Sequence, residues 1–240
     1  MDSMSILPAS SGVAAPISPE PSGSSCRQGP ILGNVRTGIF GGTFDPIHIA
    51  HLHAGETALF QADLDRVLFM PAGDPWQKDD RVLTPAWRRL EMAQLATMGV
   101  DGFEVDEREV RRDGPTYTID TLHSFPDDED LFVIMGADAA SGFRTWHRWE
   151  DIVDRSTILV MPRPGTDPRS VGEAVPGALL LDMAPLDVSA TAIRKMAGSG
   201  EPYRFLVHAS VYEYIEANDL YAQTRSGDRV GASYDQEESP

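Results

Sequence analysis

The chain has 240 residues, 41% hydrophobic and 24% charged, which is enough for one folded domain with an ordinary core. Its 20 basic and 37 acidic side chains leave a formal charge of −17, which argues against a broad nucleic-acid surface or an anionic membrane as partner. A single cysteine, Cys26, excludes an internal disulfide framework and a cysteine-based zinc site, and points to a reducing cytoplasm. No apolar run approaches the roughly 18 residues of a membrane span.

Residues 1–33 are rich in Ser, Pro, Gly and Ala without apolar periodicity, and are expected to form a disordered extension. The stretch has neither the basic start nor the apolar centre of a secretory signal. Residues 34–223 carry the folded domain, and 224–240 read as a disordered acidic tail.

Within the domain, strand-like and helix-like segments alternate. Val35–Phe40 is a short apolar strand meeting Gly41-Gly42, and 49–62 reads as a helix. Val67–Pro71 is a second strand, stopped by proline. Thr84-Pro85 reads as a helix cap followed by proline at the first helical position, and that helix runs to Met98. Phe103 and Val105 mark a third strand, and Thr118–His123 a short helix. Leu131–Met135 is a fourth strand, followed by a helix around 138–146. Thr157–Met161 is a fifth strand, and Ala178–Leu181 a sixth. Ser189 and Thr191 open a helix, and 206–218 is the last one. Alternating βα units with nearly continuous apolar strands predict an α/β fold: a doubly wound parallel sheet with helices on both faces. A ligand is expected at the carboxyl ends of the strands, near the switch in strand order.

The chemistry concentrates after the first strand, in Gly38-Ile39-Phe40-Gly41-Gly42-Thr43-Phe44-Asp45-Pro46-Ile47-His48-Ile49-Ala50-His51-Leu52. Two glycines let main chain approach a ligand closely, and the helix N-terminus that follows is a natural phosphate seat. His48 and His51, three apart on the first helical turn, share one face and can donate to the same anion as charge shifts. Taken alone, His-x-x-His reads first as a pair of ordinary surface or core histidines after a glycine turn. A zinc pair lacks a further ligand, so no protein metal site is expected.

The whole string resembles the Gly-Gly-Thr-Phe-Asp-Pro-x-His-x-Gly-His signature of bacterial nicotinate-mononucleotide adenylyltransferases, with Ala50 in place of the usual Gly. That resemblance implies a single Rossmann-like domain and adenylyl transfer from ATP to nicotinate mononucleotide, giving nicotinate adenine dinucleotide and pyrophosphate. It also implies Mg²⁺ bound with ATP. Further stretches agree with it. Val188-Ser189-Ala190-Thr191-Ala192-Ile193-Arg194 is similar to the family's second nucleotide motif. Read by itself it is a helix cap, Ser189, followed by a cation with several donors, Arg194. Gly114-Pro115-Thr116-Tyr117-Thr118-Ile119-Asp120-Thr121-Leu122, with Glu109 ahead of it, looks like the stretch that receives the nicotinate carboxylate near Thr118. Pro71–Lys78 resembles a substrate loop, with Trp76 and Gln77 replacing the commoner Pro and His. Gly136-Ala137-Asp138 matches a Gly-x-Asp element near adenosine. Trp146 stands where the family stacks a tryptophan on the pyridine ring, and Trp149 reads as ordinary packing. Arg163, in Arg163-Pro164-Gly165, is a candidate phosphate ligand.

The resemblance therefore implies His48, His51 and Arg194 as the catalytic set. ATP is expected on Gly41, Gly42, Thr43, Phe44, His48, His51, Gly136, Asp138, Ser189, Thr191, Ile193 and Arg194. The acceptor is expected on Asp45, Lys78, Tyr117, Thr118, Trp146 and Arg163. Other members of the superfamily, phosphopantetheine adenylyltransferases and cytidylyltransferases, share the histidine pair, and nicotinamide mononucleotide is the alternative acceptor. A non-catalytic nucleotide-binding protein is the rival from another class. The expected partners are ATP and nicotinate mononucleotide, with no nucleic acid and no membrane. The oligomeric state is left open.

Overall fold

A computed structural model describes residues 33–75 and 83–222. The expected N-terminal extension, apart from Gly33, and the expected C-terminal tail lie outside the described residues, as do Trp76, Gln77 and Lys78. The folded unit begins at Asn34.

Its main sheet has six parallel strands in the order β4-β2-β1-β6-β7-β8. These are β1 (Arg36–Gly42), β2 (Arg66–Pro71), β4 (Phe103–Val105), β6 (Asp130–Gly136), β7 (Ser156–Met161) and β8 (Leu179–Leu180). Counted in chain order within the sheet, this is 3-2-1-4-5-6, the doubly wound order, with its switch point between β1 and β6. Thr37 pairs with Leu131 and Phe40 with Ile134 across that switch.

Side-chain alternation sorts the core into two layers. Phe40, Val67, Phe69, Phe132, Ile134, Leu159 and Met161 point to one face. There they meet α1 (Ile49–Gln61), α2 (Ala86–Thr97), α7 (Ala190–Ser199) and α8 (Ala209–Ala217). Ile39, Leu68, Met70, Leu131, Val133, Met135, Ile158 and Val160 point to the other. That face is covered by α3 (Thr118–Leu122), α4 (Ala137–Ser141), α5 (Trp149–Arg155) and α6 (Pro168–Ala174). The continuous apolar strands of the sequence are thus explained by burial on both faces.

Several local expectations need correction. Thr84 does not cap α2. Pro85 precedes the first helical residue, Ala86, and Thr84 spends its N–H on Asp45 and its carbonyl on Arg89. The helix expected over 138–146 is broken. α4 ends at Ser141, Gly142 follows, and Phe143–Thr145 form a 3₁₀ turn. The last helix, expected over 206–218, is present as α8 (Ala209–Ala217), with a separate 3₁₀ turn at Arg204–Leu206 before it. Two helices, α5 and α6, and a small parallel pair, β3 (Asp74–Pro75) with β5 (Pro115–Thr116), are additions to the predicted elements. That pair carries the β2–α2 connection past the Glu109 segment. A Cβ on Gly73 would stand 2.2 Å from the Glu109 carbonyl oxygen, so only glycine fits that crossing.

Candidate active site

The turn after β1 is shaped by what its glycines lack. A Cβ on Gly42 would lie 2.9 Å from the Phe44 ring, and one on Gly41 would meet nothing within 4 Å. Phe44, at φ +48, turns its ring into the core, packing edge-on against Phe40 at 5.7 Å and against His51 at 5.0 Å. The aromatic wall beneath the turn thereby fixes His51 from below.

His48 is extended (φ −143, ψ 171) and stands just before the first helical residue of α1, with His51 one turn on. The two imidazoles stack at 3.7 Å between centroids. The His48 main-chain N–H donates to His51 Nδ1 at 3.2 Å. That bond leaves the proton of neutral His51 on Nε2. His48 is buried, and its Nδ1 has no hydrogen-bond partner among the described residues. Burial, reinforced by the nearby Arg163 guanidinium, lowers its pKa to about 4. His51 is pushed well below the usual histidine range by burial, by His48 and by Arg163. Two neutral imidazoles beside a guanidinium form an anion site that draws no net charge from its histidines until an anion arrives.

Arg163 follows β7. Its Nη1 donates to the Val188 carbonyl at 2.8 Å, and its Nε lies 3.2 Å from Asp138 Oδ2. It thus links the segment entering α7 to α4. Ser189 caps α7, its hydroxyl accepting from the Ala192 N–H at 3.2 Å. Arg194, one turn further, donates from Nη2 to Thr191 Oγ1 at 3.0 Å and from Nη1 to the Asp45 carbonyl at 2.6 Å. Both motifs read from the sequence therefore meet in space. Ile193 is fully buried in the core beneath them.

Beside this phosphate-type corner, a cavity of about 280 Å³ opens at the carboxyl ends of β1 and β6. Gly41, Gly42, Thr43, Thr118, Gly136 and Trp146 line it, all six expected from the sequence. The Trp146 indole N–H is buried with no partner among the described residues. Tyr117 lies against the exposed His147 ring at 4.6 Å. Glu109, Thr116 and Thr121 also line the cavity. Glu109 accepts from the Thr121 hydroxyl at 2.7 Å, and burial raises its pKa. No periodicity marks this acid, because its partner comes from a helix beyond an intervening loop. Asp45 is buried away from the cavity, its carboxylate accepting from Tyr221 and Thr84. Lys78 lies outside the described residues.

Arg89 escaped the sequence reading. It is 1% exposed, and it donates to the carbonyls of Thr43 at 2.8 Å, Gly73 at 3.1 Å and Thr84 at 2.9 Å. These carbonyls belong to the loops after β1 and β2 and to the entry of α2, so one buried cation holds three loops at the mouth of the site. Among the described residues, no group of three or more His, Cys, Asp or Glu side chains is arranged to hold a metal ion.

A parallel sheet switching between β1 and β6, with a histidine pair at the first crossover, is the framework of a nucleotidyltransferase. Residues 39–196 match the family model described as Cytidylyltransferase-like. A "Probable nicotinate-nucleotide adenylyltransferase" of Pseudomonas aeruginosa (strain UCBPP-PA14) is 39% identical over 208 residues, 78% of this chain and 97% of the relative. Its namesake in Corynebacterium kroppenstedtii is 39% identical over 203 residues, 82% of this chain and 95% of the relative. The solved structure of Plasmodium falciparum nicotinic acid mononucleotide adenylyltransferase complexed with NaAD shares the fold. It has a TM-score of 0.65 at 16% identity, covering 78% of this chain and 97% of that one. This chain belongs to the nicotinate-nucleotide adenylyltransferase family, within the cytidylyltransferase-like group.

Proposed function

We infer that this chain transfers the adenylyl group of ATP to nicotinate mononucleotide, forming nicotinate adenine dinucleotide and pyrophosphate. The observation that carries the reading is the 2.6 Å bond from Arg194 to the Asp45 carbonyl, which joins the two nucleotide motifs beside the His48–His51 stack. The cavity lined by Thr118 and Trp146 lies alongside and supports a flat, polar-edged acceptor.

In the proposed reaction an acceptor phosphate oxygen attacks the α-phosphorus of ATP, and the bond from that phosphorus to the bridging oxygen of the departing pyrophosphate breaks. The attacking phosphate is already ionised, so no general base is required. Rate comes from alignment and from stabilising charge on the leaving oxygens. In this reading the stacked His48 and His51 imidazoles donate to phosphate oxygens as charge shifts. Arg194, with Ser189 and Thr191 at the start of α7, holds the departing pyrophosphate. Arg163 and Lys78 serve the phosphate groups of the two substrates. Gly41, Gly42, Thr43 and Gly136 let ATP approach the main chain, with Phe44 and Ile193 buttressing it from the core and Asp138 toward the ribose. Tyr117, Thr118 and Trp146 receive the nicotinate end.

ATP brings Mg²⁺ on its phosphates, which neutralises part of their charge. The imidazole and guanidinium groups of the site suit the phosphates that carry the ion. The lone cysteine supports a cytoplasmic setting.

The test is pyrophosphate release from ATP and Mg²⁺ with nicotinate mononucleotide, run beside nicotinamide mononucleotide. Turnover with the acid and little with the amide is expected, and turnover with the amide alone would reverse the acceptor assignment. In the same assay His48→Ala is expected to lower kcat about 10²-fold, the scale of one transition-state donor. A variant within about threefold of the parent would remove His48 from that role.

A further inference from the structure

We propose that Asp45 and Tyr221 are positioning residues for Arg194, fixing its guanidinium for the pyrophosphate end of the nucleotide. The proposal rests on the nucleotidyl-transfer reading above. It reassigns Asp45, whose place in the first motif suggests contact with the acceptor.

Asp45 is 2% exposed, and three of its polar atoms face protein donors. Its carbonyl accepts from Arg194 Nη1 at 2.6 Å. Its carboxylate accepts from the Tyr221 hydroxyl at 2.7 Å on Oδ1 and from the Thr84 N–H at 3.4 Å on Oδ2. Both carboxylate oxygens are thus engaged within the protein, and neither lines the cavity of the acceptor. A buried carboxylate bonded in this way fixes the main chain that carries it.

Tyr221 comes from the far end of the folded unit, 176 residues along the chain. It adopts φ +65, a backbone state uncommon for an aromatic residue, and on one side it lines a recess with Thr191, Arg194 and Lys195. On another it borders Thr84 and Arg88. Burial and the Asp45 charge push its pKa upward, so the phenol keeps its proton and remains a donor throughout the neutral range. Tyr221 therefore holds Asp45, and the Asp45 carbonyl holds Arg194. A guanidinium restrained before the nucleotide arrives loses less freedom on binding, which favours affinity for the phosphate end.

Tyr221→Phe removes one hydroxyl and keeps the ring. Calorimetric titration of pyrophosphate into the full chain, with Mg²⁺, compares the parent, Tyr221→Phe, Arg194→Lys and the double variant. Tyr221→Phe is expected to raise the pyrophosphate Kd about fivefold beside Arg194 and less than about twofold in the Arg194→Lys background, the non-additivity of residues acting through one another. Equal factors in both backgrounds, or a lower melting temperature with unchanged Kd, would overturn the proposal, as would a parent that does not bind pyrophosphate. Turnover with nicotinate mononucleotide, measured on the same samples, separates the two readings. A parent that binds pyrophosphate with the expected coupling but does not turn over sinks the acceptor assignment and leaves the positioning role intact.

Discussion

At the scale of single residues, His48 and His51 owe their chemistry to burial. In the unfolded chain each titrates near 6.5, whereas in the fold desolvation, reinforced by Arg163, holds His48 at about 4 and His51 well below its ordinary value. A histidine whose folded pKa is depressed binds fewer protons folded than unfolded between those two values, so its stability contribution is complete above pH 6.5 and lost as pH falls. For His48 the slope between pH 6.5 and 4 approaches about 1.4 kcal/mol per unit, and His51 adds in the same direction. Urea denaturation at pH 7, 6 and 5 is expected to show a monotonic fall. A flat profile would mean that these imidazoles are not held neutral. The pairing of the histidines at spacing i, i+3 is visible in the sequence. Their neutral state is not, because it comes first from burial in the folded site and then from Arg163, which reaches them from beyond β7. Ala50 teaches the same lesson. It stands where the family has glycine, and it lies buried in the core of α1.

At the scale of elements, α2 shows how local signals mislead. Thr84-Pro85 has the composition of a helix start, yet the side-chain cap is absent because tertiary bonds claim the Thr84 main chain from both sides. The helix's distinctive residue is Arg89, a charged side chain on a face otherwise buried through Met92, Ala93 and Ala96. Read by periodicity it breaks the apolar stripe; in the fold it donates to three loop carbonyls. Arg89→Met keeps the volume and leaves those carbonyls without this donor. It is expected to cost about 3 kcal/mol in urea denaturation. A loss below about 0.5 kcal/mol would show that the loops hold themselves. The elements α5, α6, β3 and β5, each two to seven residues long, were likewise not read from the sequence.

At the scale of the molecule, a chain of charge −17 handles two polyanions. The long-range field opposes their approach, while the short-range field of Arg163, Arg194 and the α1 and α7 N-termini favours capture. Salt shortens the reach of the first more than the second, because the Debye length falls from about 30 Å at 0.01 M to about 8 Å at 0.15 M. The apparent kcat/KM for ATP at fixed Mg²⁺ is therefore expected to rise over that range. A steep fall would show that the cleft's own field governs encounter. The sequence by itself determined the alternation of strands and helices, the parallel sheet covered on both faces, and the two motifs that lead to the nucleotide. Those are properties of neighbours along the chain: apolar runs, glycine turns and capped helix starts. Only the tertiary structure decided that Arg194 bonds to the Asp45 carbonyl, that Tyr221 closes over the carboxylate of the same residue, and that Arg89 joins three loops. Such contacts bring together residues far apart in sequence, and their geometry is set by how the helices lie across the sheet, which no local pattern of residues records.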